Sequence, residues 1–301
     1  MPNWRTILNE LQATGSNYDV VRRNYLKKLH DVTGRNIIVY YSGWLQKQGI
    51  KGTEVNDDDK NGFMNAINAL DRSKGLDLVL HTPGGETAAT ESLVDYLRSM
   101  FGNNIRAIVP QLAMSAGTMI ACACDEILMG KQSSLGPIDP VYRGLPAHGV
   151  VEEFKRAYEE VKEDSSKIPV WQPIIANYSP TLIGECEKAI TWSTEIVIEW
   201  LVSGMFRNDK DRQQKAQSVV QELSDHALTK SHARHLSLAK CLEIGLNVIP
   251  IEENPTLQDA VLSVHHACVH TLSGTPAYKI VENHLGIAFI QMAQQVVVKK
   301  Q

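Results

Sequence analysis

Apolar positions recur along this chain in two alternating rhythms, one of helical period and one of strand length, and their succession predicts the architecture. Residues 18–31 carry Val21, Tyr25 and Leu29 in helical register, with Gly34 as a stop. Ile37 to Tyr41 is a β-branched and aromatic run of strand length, ended by Ser42 and Gly43. The polar run Asn56-Asp57-Asp58-Asp59 reads as a helix cap, with Phe63, Ile67 and Leu70 following at helical spacing. Leu76 to His81 is a second strand, Leu93, Leu97 and Met100 form one face of a helix, and Ile105 to Val109 is a third strand. Met114 to Ala123 reads as a helix of small residues and Glu126 to Met129 as a short fourth strand. Strands alternating with helices through brief loops imply βαβ crossovers, hence an α/β fold with a largely parallel sheet.

Beyond residue 150 the pattern turns helical and charged, interrupted by Pro169, Pro173 and Pro180. Glu187 to Met205 is the strongest helix there, and a further helical stretch covers about 212–228. Leu236 to Leu246 closes on Gly245, and Val248 and Ile249 form a short strand. Residues 257–300 are expected to be helical, for packing or subunit contact. The layout is therefore an N-terminal helical segment over 1–34, one core over 35–250 and a C-terminal helical appendage over 251–301.

Composition narrows the function. A chain of 301 residues, 43% hydrophobic, can bury one large core. A net charge of -4 gives no reason to expect nucleic acid or an anionic membrane as partner. No run approaches the roughly 18 apolar residues of a membrane span, and Met1 to Arg5 leads into no apolar signal segment. Among five cysteines, Cys122 and Cys124 have a spacing that suits neither a zinc knuckle nor a redox pair. Small core cysteines in a reducing compartment, the cytoplasm, are the expectation. The histidines His232, His235, His265, His266 and His270 match no standard zinc signature, and the acidic run at 56–59 lacks the alternating ligands of a calcium loop, so no metal is expected.

Two segments carry chemistry. His81-Thr82-Pro83-Gly84-Gly85 sits where a strand ends and a helix begins, and adjacent glycines let backbone N–H groups face a ligand. Ala113-Met114-Ser115-Ala116-Gly117-Thr118 occupies a second strand-to-helix junction, where a serine projects its hydroxyl beside the next amide. Singly, each is an ordinary turn or a serine cap. In order, about 30 residues apart, they bring a nucleophile and two sets of amide donors to one sheet edge, as acyl transfer requires.

With Ser134-Leu135-Gly136-Pro137-Ile138-Asp139-Pro140, and with Ala239-Lys240 and Gly245-Leu246 ending the core, these motifs resemble the serine dehydrogenase proteinase family. That family is related to signal peptide peptidase A and the Clp proteolytic subunit. The resemblance covers roughly 35–250 and implies a ClpP/crotonase-like spiral of ββα units plus N- and C-terminal helices. It further implies a serine endopeptidase acting on a peptide or protein, with Ser115 as nucleophile and an oxyanion hole from the amides of Gly84 or Gly85 and Ala116. Homo-oligomers are usual in this superfamily. No cofactor is expected, since the chain has neither a glycine-rich dinucleotide loop nor the lysine motif of a pyridoxal enzyme.

The Clp histidine has no counterpart in the segment 136–140, which holds Asp139, so a Ser-Lys dyad is the better template. A lysine base must be kept neutral by burial. Lys188 is the first choice, heading a helix with Trp192, Ile196, Val197 and Trp200 as an expected apolar surround. Lys167, Lys155 and Lys162 are alternatives, and His148 a displaced base. Two further readings remain open: a crotonase-like enzyme handling an acyl-thioester, and a scaffold of the same fold without activity.

Overall fold

The computed structural model describes residues 4–15, 17–142, 145–224 and 234–293. Helices α1 (Trp4–Ala13) and α2 (Tyr18–Thr33) open the chain, and α2 stops at Gly34, which adopts a left-handed φ of 67°. Then follow β1 (Asn36–Ser42), α3 (Asp59–Ile67), β2 (Leu76–His81), α4 (Thr87–Phe101) and β3 (Ile105–Val109). The short β4 (Leu112–Ala113) leads into α5 (Ala116–Cys122), then β5 (Glu126–Met129) and β6 (Ser134–Leu135). A small hairpin, β7 (Val141–Tyr142) and β8 (Leu145–Pro146), precedes a helical arm of α6 (Ala147–Glu163), α7 (Ile168–Ile175) and α8 (Leu182–Ser203). The chain continues through α9 (Arg212–Ser224), β9 (Leu236–Ser237), α10 (Leu238–Glu243), β10 (Val248–Pro250) and α11 (Pro255–Gly274). It returns as β11 (Ala277–Asn283) and β12 (Ala288–Met292).

The main sheet has the order β10-β5-β3-β2-β1-β11-β12, parallel from β10 to β1 and antiparallel beyond. Strand alternation sorts the core into two layers. Ile38, Tyr40, Leu78, Leu80, Ala107 and Ile127 join the face packed by α4, α5 and α8. Ile37, Val39, Tyr41, Val79, Ile108 and Leu128 join the opposite face, under α1, α2 and α11. Strands buried on both faces explain why the sequence shows continuous apolar runs instead of polar alternation. A second, three-stranded sheet of β4, β6 and β9 stands at the carboxyl ends of β2 and β3, joined to β2 through the bridge between Thr82 and Ala113.

The expected helical appendage is corrected. A helix does occupy Pro255–Gly274, but the chain then turns at Gly286 (φ 82°) and adds two strands to the main sheet. Lys279-Ile280-Val281-Glu282 alternates between the two core faces: Val281 packs on one and Ile280 on the other. Glu282 forms a buried ion pair with Arg22 of α2. Of the apolar run 287–290, residues 288–290 fall on β12, with Phe289 against the core, while 296–298 lies outside the described residues. All five cysteines are free and buried, and no helix among the described residues is long and apolar enough to cross a membrane.

Candidate active site

β2 delivers Thr82 to the bottom of a turn, and β4 delivers Met114 beside it. Thr82 N–H donates to the Leu112 carbonyl at 3.1 Å, and Met114 N–H donates to the Thr82 carbonyl at 3.0 Å, so the two motifs are clamped through their backbones. Contact is so close that side chains are excluded. A Cβ on Gly84, whose φ is 100°, would fall 2.6 Å from Ser115 Cβ and 2.7 Å from the Met114 carbonyl oxygen. A Cβ on Gly117 would fall 2.6 Å from Thr82 Cγ2. Glycine at these positions follows from space as well as from backbone freedom.

Ser115 stands at the N-terminus of α5 with φ 50° and ψ -114°, a conformation that costs a non-glycine residue about 1–3 kcal/mol. It is half-buried, and its own side chain caps nothing. The plain helix-cap reading of this serine is thereby excluded. Behind it, the Thr118 hydroxyl donates to a neighbouring carbonyl and accepts the Gly136 N–H at 2.9 Å, fixing the segment 134–140 against α5. Ile138 and Pro140 of that segment, with Gly84, Gly85, Glu86 and Met119, surround Ser115 in a cavity of about 340 Å³.

The three amides assigned to an oxyanion hole are not equivalent. The Gly84 N–H donates to Thr82 Oγ1 at 3.2 Å. The Gly85 and Ala116 N–H groups have no protein acceptor among the described residues. Gly85 and Ser115 line one cavity, and Ala116 is the first residue of α5, where the helix dipole adds positive potential.

The basic candidates lie elsewhere. A second groove of about 580 Å³ shares Glu86, Thr87, Pro140 and Val141 with the first, and Lys188 lines it together with Glu185 and Trp192. The buried apolar setting expected for Lys188 is corrected: its side chain is 77% exposed and its ammonium pairs with Glu185 Oε1 at 3.0 Å. The reason is helical phase. Cys186, Ser193, Ile196, Val197, Trp200 and Leu201 face the interior, and Lys188 sits roughly 200° around the helix from Cys186. Lys167 pairs with Glu160 at 3.6 Å, and Lys155 and Lys162 are exposed on α6. His148 Nε2 is buried 3.9 Å from Asp139 Oδ1 and has no hydrogen-bond partner among the described residues.

Two other sequence expectations find different settings. His81, first residue of the glycine turn motif, is buried with Nδ1 3.2 Å from the Ser42 carbonyl and Nε2 3.1 Å from Gln111 Oε1. Burial pushes its pKa down to about 4, so it is a neutral structural ring. His265 lies 3.0 Å from the Tyr41 hydroxyl, and His266 and His270 pack on Trp4. His235 is exposed, and His232 lies outside the described residues. The run 56–59 does open α3, with Asp59 accepting the Asn56 N–H at 2.9 Å, and Asp59 is in addition buried in an ion pair with Lys279. Nothing local in the sequence announces a partner 220 residues away.

Comparison with known proteins accords with this geometry. Two relatives from Methanocaldococcus jannaschii, uncharacterized protein MJ1495 and uncharacterized protein MJ0137, are 30% and 29% identical over 191 residues. That stretch is 64% of this chain and 58% and 59% of the respective relatives, so the match spans under two thirds of their length. A family model described as ClpP-like SDH-type serine proteinase matches residues 21–256, which include both clamped motifs. This chain belongs to the family of ClpP-like serine proteinases of the SDH type.

Proposed function

We propose that the protein hydrolyses peptide bonds, with Ser115 as nucleophile and the Gly85 and Ala116 amides as oxyanion hole. The Gly84 amide, committed to Thr82, shapes that hole from behind. The observation that carries this reading is the strained, half-buried Ser115 held against the glycine turn. Strain of this kind persists where the surroundings over-determine it, and it clusters at active sites, where holding a reacting group in place is part of the mechanism. In the reaction, Ser115 Oγ attacks the scissile carbonyl as the base takes its proton, and the oxyanion that forms accepts hydrogen bonds from the two amides. Its collapse breaks the C–N bond, the base returns the proton to the leaving amine, and water then releases the acyl group from Ser115 by the same route.

For the base we propose Lys188. Among the described residues lining the two connected cavities, it is the basic one. In the state described it is paired with Glu185, so proton transfer requires the ammonium to leave that carboxylate and lose its solvent. A bound peptide lying along the shared wall of Glu86 and Val141, or a second subunit, supplies that cover. Exposed Tyr158, Val170 and Trp192 on the same arm suit a homo-oligomer, and five buried thiols suit the cytoplasm.

The test is covalent labelling with a serine-directed fluorophosphonate, compared between the parent protein and Ser115→Ala. Labelling that disappears in the variant supports the reading. A folded parent that takes no label would favour the scaffold reading, to which the exposed position of Lys188 also points.

A further inference from the structure

Beneath the glycine turn lies a group of buried polar side chains drawn from separate segments. Lys279 of β11 and Asp59 of α3 form an ion pair at 2.7 Å, each side chain 1% exposed. Asp59 Oδ2 accepts the Tyr40 hydroxyl at 2.7 Å and the Asn56 N–H at 2.9 Å. Thr82, whose hydroxyl oxygen accepts the Gly84 N–H at 3.2 Å, lies within electrostatic reach of the same Tyr40 phenol. On its other side, Lys279 Nζ donates to the Glu54 carbonyl at 2.8 Å.

The next residue, Val55, grips the turn. Its N–H donates to the Gly84 carbonyl at 2.7 Å, and its carbonyl accepts the Glu86 N–H at 2.9 Å. All described peptide bonds are trans, and in a trans peptide the C=O and N–H point in opposite directions. With the Gly84 carbonyl turned to Val55, the Gly85 N–H must point away from Val55, and Gly85 lines the same cavity as Ser115. The chain of contacts therefore runs from Lys279 along two routes, one through Asp59, Tyr40 and Thr82, the other through Glu54 and Val55. Both end on Gly84, the first on the N–H of the peptide before it and the second on the carbonyl of the peptide that carries the Gly85 N–H.

A buried ion pair is a poor source of stability, because desolvation offsets the attraction and apolar residues of similar volume do as well. Its distinctive contribution is directional bonds at fixed points. We propose that the Lys279–Asp59 pair, with Tyr40 and Thr82, is a positioning device for the oxyanion turn, holding the Gly85 N–H at the angle that meets the developing oxyanion. This rests on the reading of Ser115 as nucleophile. Lys279 lies beyond the family-matched residues 21–256, and through its bonds to Asp59 and the Glu54 carbonyl β11 supports the turn as well as the sheet.

The test measures kcat and KM on labelled casein, alongside the rate of fluorophosphonate labelling. Thr82→Val keeps the side chain's shape and removes the hydroxyl. Thr82→Ser keeps the hydroxyl and removes the methyl that packs on Gly117. Thr82→Val, Tyr40→Phe and Lys279→Met are each expected to lower kcat about tenfold or more with KM within about twofold, while Thr82→Ser stays near the parent. Folded Thr82→Val and Tyr40→Phe proteins with parental kcat would overturn the proposal. So would a Thr82→Ser protein as impaired as Thr82→Val, which would mark packing as the cause. Should Lys279→Met fail to fold, the Tyr40 and Thr82 variants decide alone. A parent protein that takes no label at Ser115 would sink the nucleophile and the positioning device together. Labelling that is normal in the parent and unchanged in all variants sinks only the device.

Discussion

The turn from Thr82 to Glu86 and the helical arm from Ala147 to Ser203 line two cavities that share Glu86, Thr87, Pro140 and Val141, and they are built on different principles. In the turn, backbone atoms hold backbone atoms: Val55, Leu112 and Met114 bond to it, and Gly84 leaves no room for a Cβ. In the arm, the groups of chemical interest are long side chains in solvent, such as Lys188 and Lys155, beside exposed Tyr158, Val170 and Trp192. The proposed nucleophile and oxyanion donors are thus held in place by the backbone, and preorganisation of that kind is where electrostatic catalysis gains most. The proposed base, Lys188, stands in solvent beside Glu185.

That contrast can be broken most decisively at Ser115. Ser115→Ala is expected to lower casein hydrolysis by on the order of 10⁴-fold or more without lowering the melting temperature. Ser115→Gly should be equally inactive and more stable by about 1 kcal/mol, because glycine relieves the strained φ, and calorimetry on the two variants reads the difference.

On the arm, Lys188→Ala is expected to lower turnover by roughly 10²- to 10⁴-fold, the range of a lost general base. Its exposed pairing with Glu185 predicts a stability change within about 0.5 kcal/mol, so an activity loss there cannot be blamed on unfolding. Normal turnover in this variant would transfer the assignment to Lys167.

Glycine substitutions separate the two walls next. Gly84→Ala is expected to cost about 100-fold in turnover, since its Cβ pushes Ser115 off its position. Gly85→Ala would place a Cβ 2.3 Å from Val55 N and should also destabilise by about 3 kcal/mol, seen as a lower denaturant midpoint. In contrast, Gly184→Ala in α8 meets no atom within 4 Å and should leave turnover unchanged and stability equal or higher.

The smallest effect is on pH. His81 has its folded pKa depressed from 6.5 to about 4, so on acidification the unfolded state takes up the proton first. Stability from this group is therefore complete above about pH 6.5 and is lost as pH falls toward 4, by up to about 3 kcal/mol. His265, lowered to about 3 by burial, acts in the same direction. Thermal melts between pH 7 and 4.5 should show this decline, and His81→Gln should flatten it. An unchanged slope in that variant would mean that other groups carry the acid sensitivity.

The sequence by itself determined what a few neighbouring residues encode. The parallel strands of the core, Gly34 as a helix stop, and the two junctions at Gly84–Gly85 and Ser115 were all legible, because strand burial and glycine backbone freedom act within a handful of positions. The apolar phase of α8 was also written there, in Cys186, Ser193, Ile196 and Val197, and reading it would have placed Lys188 outward. Only the tertiary structure decided the rest. Residues 277–292 form strands because β1 offers them an edge, which short apolar runs alone cannot distinguish from helix. Asp59 became a buried ion as well as part of the helix start because β11 brings Lys279 to it. Burial, charge pairing and the direction of an amide depend on what stands across the core, and that is set by packing between segments far apart in the chain.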